Sequence, residues 1–155
     1  MDASEDRRES FTGFFKQAEP RLRHALIARY GGGAGSEAAA DAMAYAWEHW
    51  DRLRTMDNPV GYLYRVGRTS FRRNQRGRIV PDPQPAREPW TEPALPHALE
   101  ALSGRQRSCV VLRHSFAWTY GEIGDLLGVS VPTVQKHVAR GLEKLRSELK
   151  VTSHG

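Results

Sequence analysis

Six of the nine prolines of this chain lie in one short segment, between positions 81 and 96. Proline lacks a backbone N–H and its ring clashes with the preceding turn, so this density of proline excludes a regular helix or a central strand. We therefore interpret residues 79–95 as a linker and predict two small domains, residues 1–78 and residues 96–150. A chain of 155 residues has room for two domains of that size.

Apolar residues recur at helical spacing on both sides of this linker, and no segment alternates in the way expected of a strand. The predicted fold class is therefore all-α, with two small helical domains. Near the N-terminus, Phe11, Phe14 and Phe15 predict a first helix, and Pro20 is expected to open a second. The glycines of residues 31–35 predict a flexible loop after that helix.

Two further helices of the first domain are predicted from residues that favour helix starts. Ser36 is expected to cap a third helix, which runs to about Asp51. Asn58 is a capping residue, and Pro59 is the residue type preferred at the first helical position. This pair predicts a fourth helix, which continues through about Arg76.

Capping signals also predict the helices of the second domain. A serine or threonine followed three residues later by glutamine or glutamate forms a capping box, which predicts helix starts near Gly104 and Tyr120. A further serine is expected to cap the last helix, from about Val131 to Leu149. The capping residues are Ser103 with Gln106, Thr119 with Glu122, and Ser130.

The segment from Thr119 to Arg140 has the pattern of a helix-turn-helix. Its short first helix ends at Gly128, where a sharp turn needs a residue that tolerates positive φ. Val134 and Val138 form the inner side of the second helix, and the small Gly124 lets the two helices cross closely. The alternative is a plain helical hairpin with a solvated polar face. In a DNA-binding unit, the outer face would enter the major groove with Ser130, Pro132, Thr133, Gln135, Lys136 and Arg140.

Positive charge is concentrated in one segment of the first domain. The chain has a net charge of +5, and six arginines but no acidic residue lie between positions 58 and 80. The rest of the chain has 17 basic and 18 acidic residues. Unbalanced positive charge favours polyanionic partners, which here means nucleic acid or a membrane surface. The arginines are Arg65, Arg68, Arg72, Arg73, Arg76 and Arg78.

On a helix, most of these arginines separate from the apolar residues of the same segment. At about 100° per residue, Arg65, Arg68, Arg72 and Arg76 gather on the side opposite Leu63. Arginines four residues apart repel one another, and a phosphate backbone would relieve that repulsion. The alternative is an ordinary solvated helix face.

Aromatic residues near the arginines offer stacking surfaces for unpaired bases. We expect Trp47 and Phe71 to belong to the core, whereas Tyr62 or Tyr64 is expected to be exposed. Cations beside such rings are what single-stranded DNA binding needs.

The C-terminal segment resembles region 4 of sigma-70-family factors, the part that reads the minus-35 promoter element. The similarity starts at Leu102–His114 and continues through Tyr120–Arg146. It departs at Gly124 and His137, where alanine and arginine are usual. The run Thr133–Val138 is also similar to LuxR-type response regulators, so this segment alone does not separate the two families.

Residues Ala42–Arg78 resemble region 2 of extracytoplasmic-function sigma factors. The shared features are the pair Ala46–Trp47, a short charged loop over residues 51–57, and the helix opened by Asn58–Pro59. In that family this domain binds the clamp helices of core RNA polymerase and captures the unpaired minus-10 strand. LuxR-type proteins have no such domain, so the resemblance favours a sigma factor.

The resemblance covers residues 10–150 apart from the linker, and it implies roles for individual residues. The loop before the fourth helix corresponds to the family's pocket for a flipped promoter base. Residues implied in polymerase binding lie on an alanine-rich helix, where the family usually carries acidic and glutamine residues: Glu37, Asp41, Tyr45 and Glu48. Residues implied in minus-10 binding are Arg52, Arg54, Asn58, Tyr62, Arg65, Arg68 and Arg72.

No motif of an enzyme or of a metal site stands out. The six histidines lack paired metal spacing, and there is no P-loop, nucleophile elbow or dinucleotide fingerprint. The single cysteine, Cys109, is expected to be a small core residue. The N-terminus lacks the apolar stretch of a secretion signal, and no apolar run could span a membrane. We therefore expect a cytoplasmic protein with no enzyme activity and no cofactor.

Together, these features predict an all-α, two-domain sigma factor of the extracytoplasmic-function type. Its expected partners are core RNA polymerase, promoter DNA and an anti-sigma factor. The main alternative is a helix-turn-helix transcriptional regulator that does not recruit polymerase. A third class is an adaptor in which both domains bind protein.

Overall fold

The computed structural model describes residues 2–77 and 95–154, and these residues form eight α-helices and no strand. The all-α prediction is confirmed within these ranges. The chain divides into two units, Met1–Pro83 and Gln84–Gly155. Most of the predicted linker, residues 79–94, lies outside the described residues, as does Arg78.

The first helix, α1 (Ala3–Tyr30), continues through Pro20, so the prediction of two helices with a break at this proline was wrong. A proline inside a helix costs about 3 kcal/mol, because it removes one hydrogen bond and crowds the preceding turn. Ala18 and Leu22, one on each side of the proline, are both buried. Packing of the helix against the rest of the unit offsets the local cost.

The glycine-rich segment is helical rather than a loop, which corrects a second prediction. Only Gly31 lies outside a helix, with φ 90°, and α2 (Gly32–Glu48) begins directly after it. A Cβ atom at Gly35 would lie 2.5 Å from the Cα atom of Ile27 on α1. Glycine is therefore needed here because the two helix backbones nearly touch. Ser36 lies inside α2 and does not cap it.

Two more helices complete the first unit. The predicted third helix ends early, at Glu48, and a single turn, α3 (Trp50–Leu53), follows separately. The fourth, α4 (Pro59–Gly77), begins where it was predicted. The side-chain oxygen of Asn58 accepts the N–H of Gly61 at 3.1 Å, as expected of a capping residue.

The aromatic residues of this unit differ from the prediction in two respects. Tyr62 or Tyr64 was expected to be exposed, but Tyr62 is half-buried and Tyr64 is buried, because α4 packs against the rest of the unit. Trp47 was expected in the core, but 40% of its surface is exposed. Its ring centre lies 5.2 Å from that of Phe11 and 4.2 Å from the guanidinium group of Arg7. Phe71 is half-buried and stacks on Tyr30 at 3.7 Å.

The second unit has four helices: α5 (Leu95–Glu100), α6 (Gly104–His114), α7 (Tyr120–Leu127) and α8 (Val131–His154). Both predicted capping boxes are present, at Ser103 and at Thr119. α8 extends beyond its predicted end. Ala98, Leu102, Val110 and Leu145 form a buried apolar cluster that joins α5, α6 and α8.

Cys109 on α6 is fully buried, as predicted. Burial raises the pKa of its thiol to about 11. The thiol is therefore protonated at neutral pH and is a poor nucleophile. In the described part of the chain, no helix is long and apolar enough to span a membrane.

Replacing Gly35 with alanine should destabilise the first unit, because the new methyl group would meet the backbone of α1. We expect a loss of about 1–3 kcal/mol in the free energy of unfolding, the usual cost of overpacking. Urea denaturation followed by circular dichroism measures this change.

The matched control is Gly13→Ala, since a Cβ atom at Gly13 meets nothing within 4 Å. This change should raise the free energy of unfolding by about 0.5–1 kcal/mol, because alanine favours a helix more than glycine does. Equal stability of the two variants would show that α1 and α2 do not approach as closely as described.

Candidate nucleic-acid interface

The turn between α7 and α8 is held by backbone geometry. α7 ends at Leu127 and is capped by Gly128, which has φ 70°, and the N–H of Val129 donates to the carbonyl of Gly124 at 3.0 Å. A Cβ atom at Gly124 would lie 2.7 Å from the carbonyl oxygen of Val129. Ser130 caps α8 by accepting the N–H of Thr133 at 3.3 Å. The roles predicted for Gly128 and Ser130 agree with this geometry, whereas the close contact at Gly124 is with the backbone of the turn rather than with α8.

The two sides of α8 differ as a recognition helix requires. Val134 and Val138 are buried against the rest of the unit. The opposite side is open to solvent, and Thr133 at its edge is half-buried. The structure therefore brings the predicted minus-35 residues to one end of one helix. The exposed members of that set are Ser130, Pro132, Gln135, Lys136 and Arg140.

His137 adds a feature that the sequence did not indicate. It is half-buried on α8, and burial together with the charges of Arg105, Arg140 and Lys136 lowers its pKa. The ring is therefore neutral at neutral pH. Arg105 lies on α6, so the packing of α6 against α8 adds a cation beside the exposed face of α8. No local pattern could have indicated this neighbour.

The arginines of α4 have two different environments. Arg65, Arg72, Arg73 and Arg76 are exposed and form no ion pair with the described residues. Arg68 is instead half-buried, with its guanidinium group 6.0 Å from the ring centre of Tyr64. Most of the predicted basic stripe is therefore uncompensated positive charge on one helix.

α3 and the loop that follows it are connected to neighbouring helices by two arginines. Arg52 donates hydrogen bonds to the hydroxyl oxygens of Tyr45, at 2.6 Å, and Tyr62, at 3.2 Å. The two hydroxyl groups lie 3.1 Å apart. Arg54 forms an ion pair with Asp6 at 3.7 Å. The predicted loop over residues 51–57 is therefore partly helical: Arg52 lies on α3 and Arg54 directly follows it, and both also make contacts within the unit.

The hydrogen bonds of this cluster shift the acidity of both tyrosines. The hydrogen bond from Tyr62, assisted by Arg52, lowers the pKa of Tyr45. The same bond, with burial, raises the pKa of Tyr62. Tyr45 is therefore the member of the pair that loses its proton first.

Two of the four residues implied in polymerase binding connect α2 to α4. A carboxylate oxygen of Asp41 accepts hydrogen bonds from Ser70, at 2.5 Å, and Asn74, at 3.4 Å. Tyr45 contacts Tyr62 through the hydroxyl pair described above. Glu37 and Glu48 are exposed on α2. The sequence did not indicate the contacts of Asp41 and Tyr45, because they depend on how α2 and α4 pack.

A groove of about 450 Å³ lies between α2 and α4. Asp41 and Tyr45 line it on the α2 side, and Tyr62, Arg65 and Arg73 line it on the α4 side. The helical wheel left Arg73 out of the basic stripe, and only the packing of α2 shows that it lines the groove together with Arg65. Among the described residues, no cluster of side chains could hold a metal ion.

Known proteins with similar sequences point to one family. Residues 93–145 match the family described as Sigma-70, region 4. Over 119 residues the chain is 32% identical to the RNA polymerase sigma-E factor of Streptomyces coelicolor, covering 70% of this chain and 67% of that protein. It is 33% identical to the RNA polymerase sigma-E factor of Streptomyces antibioticus over 119 residues, covering 70% of this chain and 66% of that protein.

The fold is also similar to a solved structure, the sigma factor RpoE in complex with the anti-sigma factor NepR from Bartonella quintana. The TM-score is 0.64 at 20% sequence identity, and the match covers 91% of this chain and 97% of that chain. At this level of identity the similarity shows a shared fold of helices.

A helix-turn-helix in one unit, and in the other an arginine face without acidic partners among the described residues, define a DNA-binding protein of transcription. The chain belongs to the sigma-70 family of RNA polymerase sigma factors, and within it to the extracytoplasmic-function type. The predicted function, that of a sigma factor in transcription initiation, is confirmed, and the alternative of a LuxR-type regulator is not supported. The chain spans about two thirds of the length of the Streptomyces relatives.

Replacing Arg52 with alanine should raise the pH at which the first tyrosine of the Tyr45–Tyr62 pair ionises. The reason is that the guanidinium group favours the phenolate of either ring. A pH titration that follows the ultraviolet absorbance of phenolate measures the change, and Tyr45→Phe identifies the early step.

Arg54→Ala is the control for this titration, because it removes the same charge from the same loop. It should leave the early step in place. If the titrations of Arg52→Ala and Arg54→Ala coincide, Arg52 does not bind the tyrosine hydroxyls in solution.

Proposed function

We propose that this sigma factor, bound to core RNA polymerase, holds promoter DNA with both of its units. The observation that carries the proposal is a pair of surfaces in one chain. One is the exposed face at the start of α8, and the other is the set of α4 arginines that lack an acidic partner among the described residues. The protein would need no catalytic residue of its own, because polymerase performs the chemistry, and it would act in the cytoplasm.

The minus-35 element would be read by the start of α8. Gln135 and Arg140 can each make two hydrogen bonds to a base edge, and Lys136 suits a phosphate or a guanine. The hydroxyl of Ser130 and the N-terminal end of the helix favour a phosphate. Pro132 and Thr133 would complete this surface.

The minus-10 strand would be held by α4 and the loop before it. Arg65 and Arg72 are exposed and suit phosphates, and Tyr62 offers an aromatic ring beside them. Arg52, Arg54 and Asn58 would form or support the pocket for a flipped base. Arg68 would contribute less, because its guanidinium group is half-buried against Tyr64.

Polymerase would bind the exposed side of α2. Glu37 and Glu48 are the carboxylates best placed for this, while Asp41 and Tyr45 would contribute from the edge next to α4. Because α2 carries alanines where larger residues are usual in the family, we expect a lower affinity for polymerase than is usual there. The proposed domain organisation is a domain at residues 1–78, a linker over residues 79–95 and a domain at residues 96–150. Such a linker would let both units reach the promoter from one polymerase.

An anti-sigma factor is a further proposed partner. The support for it is the similarity in fold to RpoE, a sigma factor solved in complex with the anti-sigma factor NepR. Such a partner would cover surfaces that polymerase or DNA needs.

Transcription in vitro tests the proposal as a whole. The full chain is combined with core RNA polymerase and a library of promoter fragments, and the transcripts are sequenced. We expect transcripts that start downstream of a common pair of sequence elements. If the chain neither binds core polymerase at low salt nor yields transcripts, the proposed function is wrong.

Replacing Arg140 with alanine should weaken binding to the minus-35 element of a promoter recovered from that library. The expected cost is about 1–3 kcal/mol, the usual contribution of one bidentate base contact. A mobility-shift titration with duplex DNA measures it. Arg146→Ala, an exposed arginine further along α8, is the control and should bind within twofold of wild type.

Replacing Arg65 and Arg72 together with alanine should impair promoter opening while leaving the minus-35 duplex bound. Each phosphate contact to a single strand contributes about 0.7 to the slope of log K against log salt, so the slope should fall by about 1.4. Permanganate reactivity of unpaired thymines measures the opening. An unchanged salt slope and unchanged opening would identify these arginines as an ordinary solvated face.

A further inference from the structure

Two tyrosines on different helices meet at the groove between α2 and α4. The hydroxyl oxygen of Tyr45 on α2 lies 3.1 Å from that of Tyr62 on α4, and the ring centres lie 6.2 Å apart at an angle of 38°. The ring centres are closer together than they would be if the two hydroxyls met end to end. The arrangement therefore brings the ring carbons that flank the two hydroxyls towards each other.

Neighbouring side chains hold both rings in this arrangement. Arg52 donates hydrogen bonds to the hydroxyl oxygens of Tyr45, at 2.6 Å, and of Tyr62, at 3.2 Å. The imidazole ring of His49 stacks on the ring of Tyr45, with the ring centres 4.0 Å apart. Groups that are held close together in one orientation react far more readily than groups that must meet by diffusion. The pair is therefore preorganised for a reaction that joins the two rings.

The same contacts make the pair easy to oxidise. The hydrogen bond from Tyr62, assisted by the guanidinium charge of Arg52, lowers the pKa of Tyr45. A phenolate gives up an electron more readily than a phenol does, so Tyr45 is the ring that is oxidised first. Both tyrosines are half-buried and line the groove of about 450 Å³, so small oxidants reach them from solvent.

No other tyrosine of the chain has such a neighbour. Tyr30 stacks on a phenylalanine of α4, Tyr64 is buried, and Tyr120 lies at the start of α7 in the second unit. The described residues include all five tyrosines, and among them no other two tyrosine rings are in contact. An oxidised Tyr45 therefore has one phenol ring beside it, that of Tyr62.

We propose that Tyr45 and Tyr62 form a site of oxidative modification, at which a one-electron oxidant such as a peroxide-derived radical joins the two rings as dityrosine. Each phenol gives one electron to the oxidant and one proton to water, which leaves two phenoxyl radicals. The radicals couple through a carbon next to each oxygen and form one carbon–carbon bond. The hydrogen on each coupled carbon then moves to an oxygen, which restores both phenols. The chain loses two electrons and two protons, and two equivalents of the oxidant are each reduced by one electron.

The new bond connects α2 covalently to α4. The two tyrosines are 17 positions apart, so the bond closes a short loop that contains α3. Such a cross-link restricts the unfolded chain and thereby stabilises the folded one, as a disulfide does. It also fixes the distance between the two helices that are proposed to bind polymerase and DNA. The reaction itself needs neither partner, so its outcome is independent of the proposed function.

Photo-oxidation of the full chain tests this assignment. A ruthenium tris-bipyridine complex with persulfate removes single electrons during a brief flash of visible light, and the monomeric product is isolated by size. We expect dityrosine fluorescence in the monomer and an intact mass that is lower by two hydrogen atoms. Trypsin cuts after Arg52 and Arg54, so Tyr45 and Tyr62 appear in one peptide mass only if a bond joins them.

Single substitutions identify the two rings. Tyr45→Phe and Tyr62→Phe should each lower the fluorescence of the monomer at least threefold, because phenylalanine forms no phenoxyl radical. Circular dichroism shows whether each variant folds, and either one decides the question if the other does not. Tyr120→Phe is the matched control and should stay within twofold of wild type. Equal fluorescence of Tyr45→Phe and Tyr120→Phe, or linked peptides that contain Tyr30 or Tyr64 instead, would overturn the assignment.

The variant Arg52→Ala tests the physical cause of the reactivity. It should form dityrosine at least threefold more slowly near neutral pH, because the guanidinium group no longer holds the two hydroxyls or favours the phenolate of Tyr45. Arg54→Ala removes the same charge from the position after α3 and should react within twofold of wild type. Equal rates for the two arginine variants would contradict the proposed preorganisation of the pair.

The cross-link also has a signature in the stability of the first unit. Linked wild type should unfold at a higher urea concentration than untreated wild type, as followed by circular dichroism. Oxidised Tyr45→Phe should show no such rise, because it cannot form the bond. An unchanged or lower midpoint in fully linked wild type would show that the bond distorts the unit, which contradicts a pair that is already positioned for it.

Discussion

The first unit depends on how closely three helices approach one another around Leu26. This side chain is fully buried on α1, and a Cβ atom at Gly67 of α4 would lie 2.6 Å from one of its methyl carbons. At Gly35, α2 approaches the same turn of α1 so closely that the backbones nearly touch. Protein interiors are packed at nearly the density of crystals, so even one added methyl group forces neighbouring atoms to move. The two glycines thus set the distance of α2 and α4 from α1, and through it the distance between α2 and α4.

The chemistry of the first unit follows from that distance. α2 and α4 are connected at one end by Asp41 with Ser70 and at the other by Tyr45 with Tyr62, and the groove lies between these two contacts. The family resemblance implies that Asp41 and Tyr45 bind polymerase. The same two side chains therefore also fix the position of α4, the helix that is proposed to bind DNA. A substitution at Asp41 or Tyr45 would act on both surfaces, so loss of activity in such a variant would not by itself identify the lost partner.

The two surfaces that are proposed to bind DNA differ in their physical character. In the helix-turn-helix, Val134 and Val138 anchor one side of α8, while the opposite side of its first turns is open to solvent. The shape and the hydrogen-bonding groups of this open side suit a groove of duplex DNA. In the first unit, several α4 arginines form no ion pair with the described residues. Their mutual repulsion is tolerated because the apolar side of the same helix is buried, with Leu63 fully enclosed. Charge and aromatic rings suit a strand that has lost its pairing. One protein with both surfaces fits a function in which DNA is first bound as a duplex and then opened.

Features that depend on neighbouring residues could be predicted from the sequence alone. These are the capping boxes at Ser103 and Thr119, the left-handed turn at Gly128 and the start of α4 at Asn58, because each is a hydrogen bond or a dihedral angle within a few residues. The family resemblance followed from the same local patterns. The continuity of α1 through Pro20, the helical glycines of α2 and the exposure of Trp47 were predicted wrongly, because packing between distant segments decides them. For the same reason, only the tertiary structure brings Arg52 to Tyr45 and Tyr62, Arg105 to the recognition helix, and Arg73 to the groove. The arginine content of α4 is a property of the sequence, but which arginines face a binding site is decided by the helix that packs beside them.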